Sequence, residues 1–134
     1  MGSRELLGLA IQRMPQLRPD EKRLVRDLVD DEASFSLLSI RDIERHVGRQ
    51  LAAAAWTPAG LLAEAEEDAR LLSRIGAFHV GFDDPRYPAL LRETFRAPFG
   101  LYFRGEPLPA DRPCAAVVGT RTPTGRGGEA AASL

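Results

Sequence analysis

Cys114-Ala-Ala-Val-Val-Gly-Thr-Arg-Thr-Pro-Thr-Gly-Arg-Gly-Gly-Glu129 is the stretch whose reading decides the fold. Cys114–Val118 is apolar on both faces, the pattern of a strand buried in a parallel sheet. Glycine follows at once. Gly119 lets the backbone turn sharply and lets a ligand approach the main chain. Free N–H groups of the loop, and of the helix expected to open at Glu129, would point toward an anion, with the helix dipole adding attraction. Thr120, Thr122 and Thr124 offer hydroxyls, and Arg121 offers a planar, permanently charged fork suited to phosphate. Gly119, Thr120, Arg121, Thr124 and Gly125 are therefore the candidate phosphate-binding residues. Their place is right, since open α/β sheets bind ligands beyond the carboxyl ends of their strands.

Two familiar loops fit poorly. A Walker A loop needs glycine, four residues, then Gly-Lys-Ser/Thr, whereas five residues separate Gly119 from Gly125 and Arg126-Gly127 follows. The letters Gly125-x-Gly127-x-x-Ala130 match a dinucleotide fingerprint, but they begin too far past the tight turn that should carry it. The same glycines would also suit a connector that binds nothing.

Upstream, the pattern is helical. Leu6, Leu9, Ala10 and Arg13 share helical spacing before Pro15. Pro19 opens a second helix, with Asp20 and Glu21 in its first turn, that would bury Leu24, Val25, Leu28 and Val29 and end near Asp31. A third covers Ala33–Leu38. Ser39 and Asp42 have capping-box spacing, and Gly48 ends that fourth helix. The longest runs from Thr57-Pro58 to about Ile75, with Leu61, Leu62, Ala65, Ala69, Leu72 and Ile75 as its apolar stripe and Gly76 just beyond. Short strands are expected at Ala77–Val80 and Leu101–Phe103, with a brief helix at Ala89–Thr94 between them. After Val118 come half of a βαβ unit and the chain end, so the sheet is expected to be incomplete.

Composition sets the bounds. Of 134 residues, 44% are hydrophobic and 28% charged, an ordinary globular balance. No apolar run approaches the ~20 residues of a membrane helix, and the first residues lack the pattern of a secretory signal. The expectation is a cytoplasmic protein. A lone cysteine, Cys114, and two distant histidines, His46 and His79, exclude a disulfide framework and give no metal-ligand spacing, so neither metal nor cofactor is expected. Residues 1–91 carry 12 basic and 15 acidic side chains, residues 92–134 carry 6 and 4, so the C-terminal part is mildly basic.

Three segments occur in a telling order: Asp84-Pro85-x-Tyr87-Pro88-x-Leu90-Leu91, Ala97-Pro98-x-x-Leu101-Tyr102-Phe103-Arg104-Gly105, and, within the opening stretch, Ala116-Val117-Val118-Gly119-Thr120-Arg121-x-Pro123-Thr124-x-x-Gly127. In this order and spacing they resemble the bacterial DNA-processing protein A (DprA or Smf) family. The resemblance implies an α/β protein with a small SAM-like helical domain, residues 1–75, then the start of a Rossmann-like domain, residues 76–134. It implies no enzymatic activity. It implies binding of single-stranded DNA without sequence preference, protection of incoming DNA in natural transformation, assistance to RecA recombinase and dimer formation. Carried over by motif, Gly119, Thr120 and Arg121 would contact DNA phosphate.

Other features have plainer readings beside sharper ones. Tyr87, Phe95, Phe99, Tyr102 and Phe103 could stack bases, but aromatics in strands and beside prolines belong more often to a core. Arg41, Arg45 and Arg49 recur every four residues and could track a phosphate backbone, though Asp42 and Glu44 offset them. Glu64, Glu66, Glu67 and Asp68 read as the wet face of a helix. Two other functions stay open: a nucleotide- or phosphate-sugar-binding enzyme on a similar sheet, and a helical protein-interaction module.

Overall fold

Helix α1 (Ser3–Arg13) buries six residues in a row, Leu6, Leu7, Gly8, Leu9, Ala10 and Ile11. A helix that is apolar all round must be covered all round. In the computed structural model, which describes residues 2–52, 56–106 and 118–133, the cover comes from several elements. Helices α2 (Pro19–Asp27), α3 (Glu32–Ser36) and α5 (Pro58–Arg74) pack on α1, as does strand β1 (Ala77–Gly81). Helix α4 (Ile40–Val47) joins through α2. The core gathers Leu7, Leu9, Ile11 and Met14 with Val25, Val29, Phe35, Ile43, Leu61 and Phe99.

Capping residues set the helix limits. Thr57 accepts the Gly60 N–H at the start of α5, and Ser39 and Asp42 cap α4 reciprocally. Gly48 (φ 75°) and Gly76 (φ 64°) follow α4 and α5 in the left-handed region that glycine tolerates best. Two expectations shift. Helix α2 stops at Asp27, short of Asp31, because the Asp31 carboxylate accepts the Ser34 N–H at 2.8 Å and so starts α3 instead. Leu24 and Ile75, expected inside, are 45% and 47% exposed, since the buried side of α2 is that of Glu21 and Val25 and that of α5 is Leu61 and Ala65.

Strand β1 pairs antiparallel with β2 (Gly100–Arg104), in register from Ala77↔Arg104 to Gly81↔Gly100. The described fold is thus mixed: helices with a two-stranded antiparallel sheet. The parallel strand expected at Cys114–Val118 lies outside the described residues except for Val118, which is 89% exposed and in no strand. Between the strands, the Asp83-to-Tyr87 turn docks on the helices and leads into the short α6 (Ala89–Arg92). Arg26 reaches Asp83 at 3.4 Å, Arg23 lies 4.5 Å over the Phe82 ring, and buried Tyr87 donates its hydroxyl proton to the Pro98 carbonyl at 2.8 Å.

His79 is enclosed where β1 meets α1. Its ring contacts the site where Gly8 lacks a side chain, and a Cβ on Gly100 would stand 2.1 Å from Nε2. Gly100 is therefore glycine because the imidazole occupies its side-chain space. Nε2 has no hydrogen-bond partner among the described residues. Burial lowers the His79 pKa to about 4, with Asp84 and Asp83 opposing weakly. Above its ordinary value of 6.5 the ring is neutral in both folded and unfolded chain; below it, only the unfolded chain gains the proton. Stability should therefore fall as pH drops from about 6.5 to about 4, by about 3 kcal/mol in all. Urea midpoints measured across that window should lose most of this slope in His79→Asn.

Glu21 is the second buried polar residue. Arg49 donates to it twice, at 2.7 and 2.8 Å, and the Arg18 N–H donates at 2.7 Å. These bonds, Arg49 foremost, hold the carboxyl at about 2 against the cost of its burial. Removing Arg49 leaves a buried charge short of donors. Arg49→Ala should lower the melting temperature by several degrees at neutral pH, while Arg45→Ala, whose side chain meets only exposed Asp42, should leave it nearly unchanged.

Candidate nucleic-acid interface

The glycine-rich loop leads into helix α7 (Gly125–Ala132), which opens four residues earlier than expected. The cause is Thr124. Its hydroxyl accepts the Gly127 N–H at 3.2 Å, and its carbonyl accepts the Gly128 N–H at 3.0 Å, an N-cap arrangement that recruits the glycines into the first turn. The Thr124 hydroxyl is thereby committed to the helix. The N–H groups of Gly125 and Arg126, at the first two helical positions, have no backbone partner among the described residues and lie at the positive end of the dipole.

Before the helix, Thr120 donates its hydroxyl proton to the Thr122 carbonyl at 3.0 Å, which shapes the turn around Arg121. Arg121 itself is exposed and makes no ion pair or hydrogen bond among the described residues. Gly119, Gly125, Gly127 and Gly128 all have ordinary negative-side backbone angles, and a Cβ at Gly119, Gly125 or Gly128 would meet no described atom within 4 Å. The backbone does not require glycine at these positions. What glycine leaves there is a bare main chain, open to an approaching ligand. The loop therefore presents an unspent guanidinium, unobstructed backbone and a helix start within seven residues, from Gly119 to Gly125. That set can hold an anion by charge and by N–H donation.

Other sequence candidates separate. Arg41 and Arg45 are exposed on α4, with Arg45 3.4 Å from Asp42, but Arg49 is folded back onto Glu21 and the Gln16 carbonyl. The three do not form a free basic stripe. Glu64 and Asp68 are not simply solvated: they clasp Arg13 of α1. Tyr87 and Phe99 are core, and Phe78 stacks on Phe103 across the strand pair at 5.6 Å. Phe95, expected among core aromatics, is 94% exposed. It shares a groove with Arg18, Arg23 and Arg96, a grouping that sequence spacing could not show because it joins the start of α2 to the turn between α6 and β2. No three His, Cys, Asp or Glu side chains converge as metal ligands among the described residues, and no described helix is long and apolar enough to cross a membrane.

Strand β1 onward is also where the chain resembles known proteins. Residues 78–134 match the DNA recombination-mediator protein A family. All three ordered motifs fall inside the matched span, so the resemblance read from them stands. By its description that family mediates DNA recombination, and the match covers residues 78–134 alone. The helices before β1 lie outside the match. No curated protein and no solved structure matches the chain.

The cap at Thr124 can be tested on its own. Thr124→Ala should remove about 1 kcal/mol of support from α7, seen as faster amide exchange at Gly127 and Gly128 with unchanged exchange in α1.

Proposed function

We propose that the chain binds single-stranded DNA without sequence preference, through the Gly119–Gly125 loop. The observation that carries this reading is the exposed Arg121, unpaired among the described residues, beside the open start of α7. Arg121 would grip a backbone phosphate with its fork while the Gly119 main chain and the Gly125 N–H accept close approach; Thr120 and Thr124 hold the loop in shape. Nothing in such contacts reads a base edge, so binding would be indifferent to sequence. In this reading the molecule is a cytoplasmic, non-enzymatic DNA handler. Residues 1–75 form a SAM-like helical unit and residues 76–134 open a Rossmann-like one. Its role would be to protect incoming DNA and assist loading of RecA recombinase, acting as a homodimer. The family match and the loop's anion-holding chemistry both support it.

Fluorescence anisotropy of a labelled oligonucleotide tests it. Affinity should fall steeply with added salt, because each neutralised phosphate releases counterions. Arg121→Ala should weaken binding and reduce the slope of log affinity against log salt by about 0.7, the share of one single-strand phosphate contact. An unchanged slope would remove the loop from the interface.

A further inference from the structure

Phe95 lies in the turn between α6 and β2 and is the most exposed of the large apolar side chains described. It lines a groove of about 470 Å³ with Arg18, Pro19, Asp20, Arg23 and Arg96. Arg18 and Pro19 open α2, so the groove forms where the helices meet the strand pair.

Positive charge is in surplus there. Arg18 lies 3.0 Å from Glu21 and 3.8 Å from Asp20, but Glu21 is already claimed by the paired hydrogen bonds of Arg49. Arg23 spends one donor on the Ala97 carbonyl at 3.3 Å and covers the Phe82 ring. Arg96 has no ion pair among the described residues. With Glu21 paired to Arg49, three lining arginines, Arg18, Arg23 and Arg96, stand against one lining carboxylate, Asp20. The groove around half-exposed Tyr102 offers the contrast: its one arginine, Arg13, is held by Asp68 and Glu64.

We infer that this groove takes one nucleotide of a single strand, with the base stacked on Phe95 and the flanking phosphates on Arg18 and Arg96. An exposed apolar ring set among cationic forks matches the two halves of a nucleotide. Only an unpaired base can offer its face to such a ring. An acidic peptide would satisfy the arginines but leave the ring without a partner. This inference rests on the DNA-binding reading and adds a second contact, on the helical side of the molecule, to the loop.

The test compares labelled oligo(dT) with an abasic oligonucleotide of equal length, on the full chain and on Phe95→Ala, Phe95→Trp and Arg121→Ala. Phe95→Ala should bind oligo(dT) about tenfold more weakly, the loss expected for one stacked base, and bind the abasic strand as the parent does. Phe95→Trp should keep the affinity and show quenching of the new indole on adding oligo(dT), beyond any change from Trp56 in the parent. Far-UV circular dichroism should be unchanged throughout, because the residue 95 side chain touches solvent. Equal oligo(dT) affinity in Phe95→Ala and parent would overturn the groove while leaving the loop reading intact. Loss in Phe95→Ala without loss in Arg121→Ala would support the groove and overturn the loop. Equal displacement of oligo(dT) by polyglutamate of matched charge would also overturn the groove, as would failure of the parent chain to bind, which takes both readings with it.

Discussion

Close packing around α1 governs this molecule. Six consecutive residues from Leu6 to Ile11 carry no charge and present apolar or bare surface in every direction, so the helix is stable only when neighbours enclose it. That requirement draws α2, α3, α5 and β1 onto a single axis. It also sets side-chain choices far away in sequence. Gly8 leaves room on α1 for the His79 ring, and Gly100 on the facing strand leaves the rest. The imidazole is thus fitted by two missing side chains, and its neutrality is a consequence of the space it fills.

Around that core, ion pairs decide which charges remain for binding. Arg13 joins α1 to α5 through Glu64 and Asp68. Arg49 ties the exit of α4 to Glu21 and also holds the carbonyl of Gln16, a non-glycine residue at φ 64°. Arg4 and Arg26 meet at Asp83, and Arg86 folds onto Asp84. A protein with an almost balanced formal charge can still present local cation surplus, provided its carboxylates are committed to particular arginines. Arg121 on the loop and Arg96 beside Phe95 are among the arginines that pairing leaves over in the described residues. An electrostatic reading that counts charges by segment misses this, because a fully paired arginine adds little to the outward field.

Much was legible in the chain itself. Caps and breakers are local chemistry: Ser39 with Asp42, Thr57 with Pro58, and glycine at 48 and 76 act within one turn, so their spacing places α4 and α5 to within a residue or two. The short strands around Phe78 and Tyr102, flanked by Gly76, Gly81, Gly100 and Gly105, were likewise visible. The three motifs from Asp84 to Gly127 sufficed to suggest the family that residues 78–134 match. At the loop, residue types already pointed to an anion, and Arg121 is exposed in the described turn. The start of α7 was misplaced because a run of glycines looks like loop until Thr124 is recognised as its cap.

Tertiary structure alone decided the rest. Whether Leu24 or Val25 faces inward, whether Phe95 is core or surface, and whether Arg49 is a free cation or the partner of a buried carboxylate depend on which elements lie opposite. Those neighbours come from distant parts of the chain: Arg49 meets Glu21, Arg13 meets Asp68, and Phe95 comes beside Arg18. Local sequence determines which turns and caps can form, because their partners are at most four residues away. Burial and charge pairing are set by contacts across the fold, and these exist only once α1 has been enclosed.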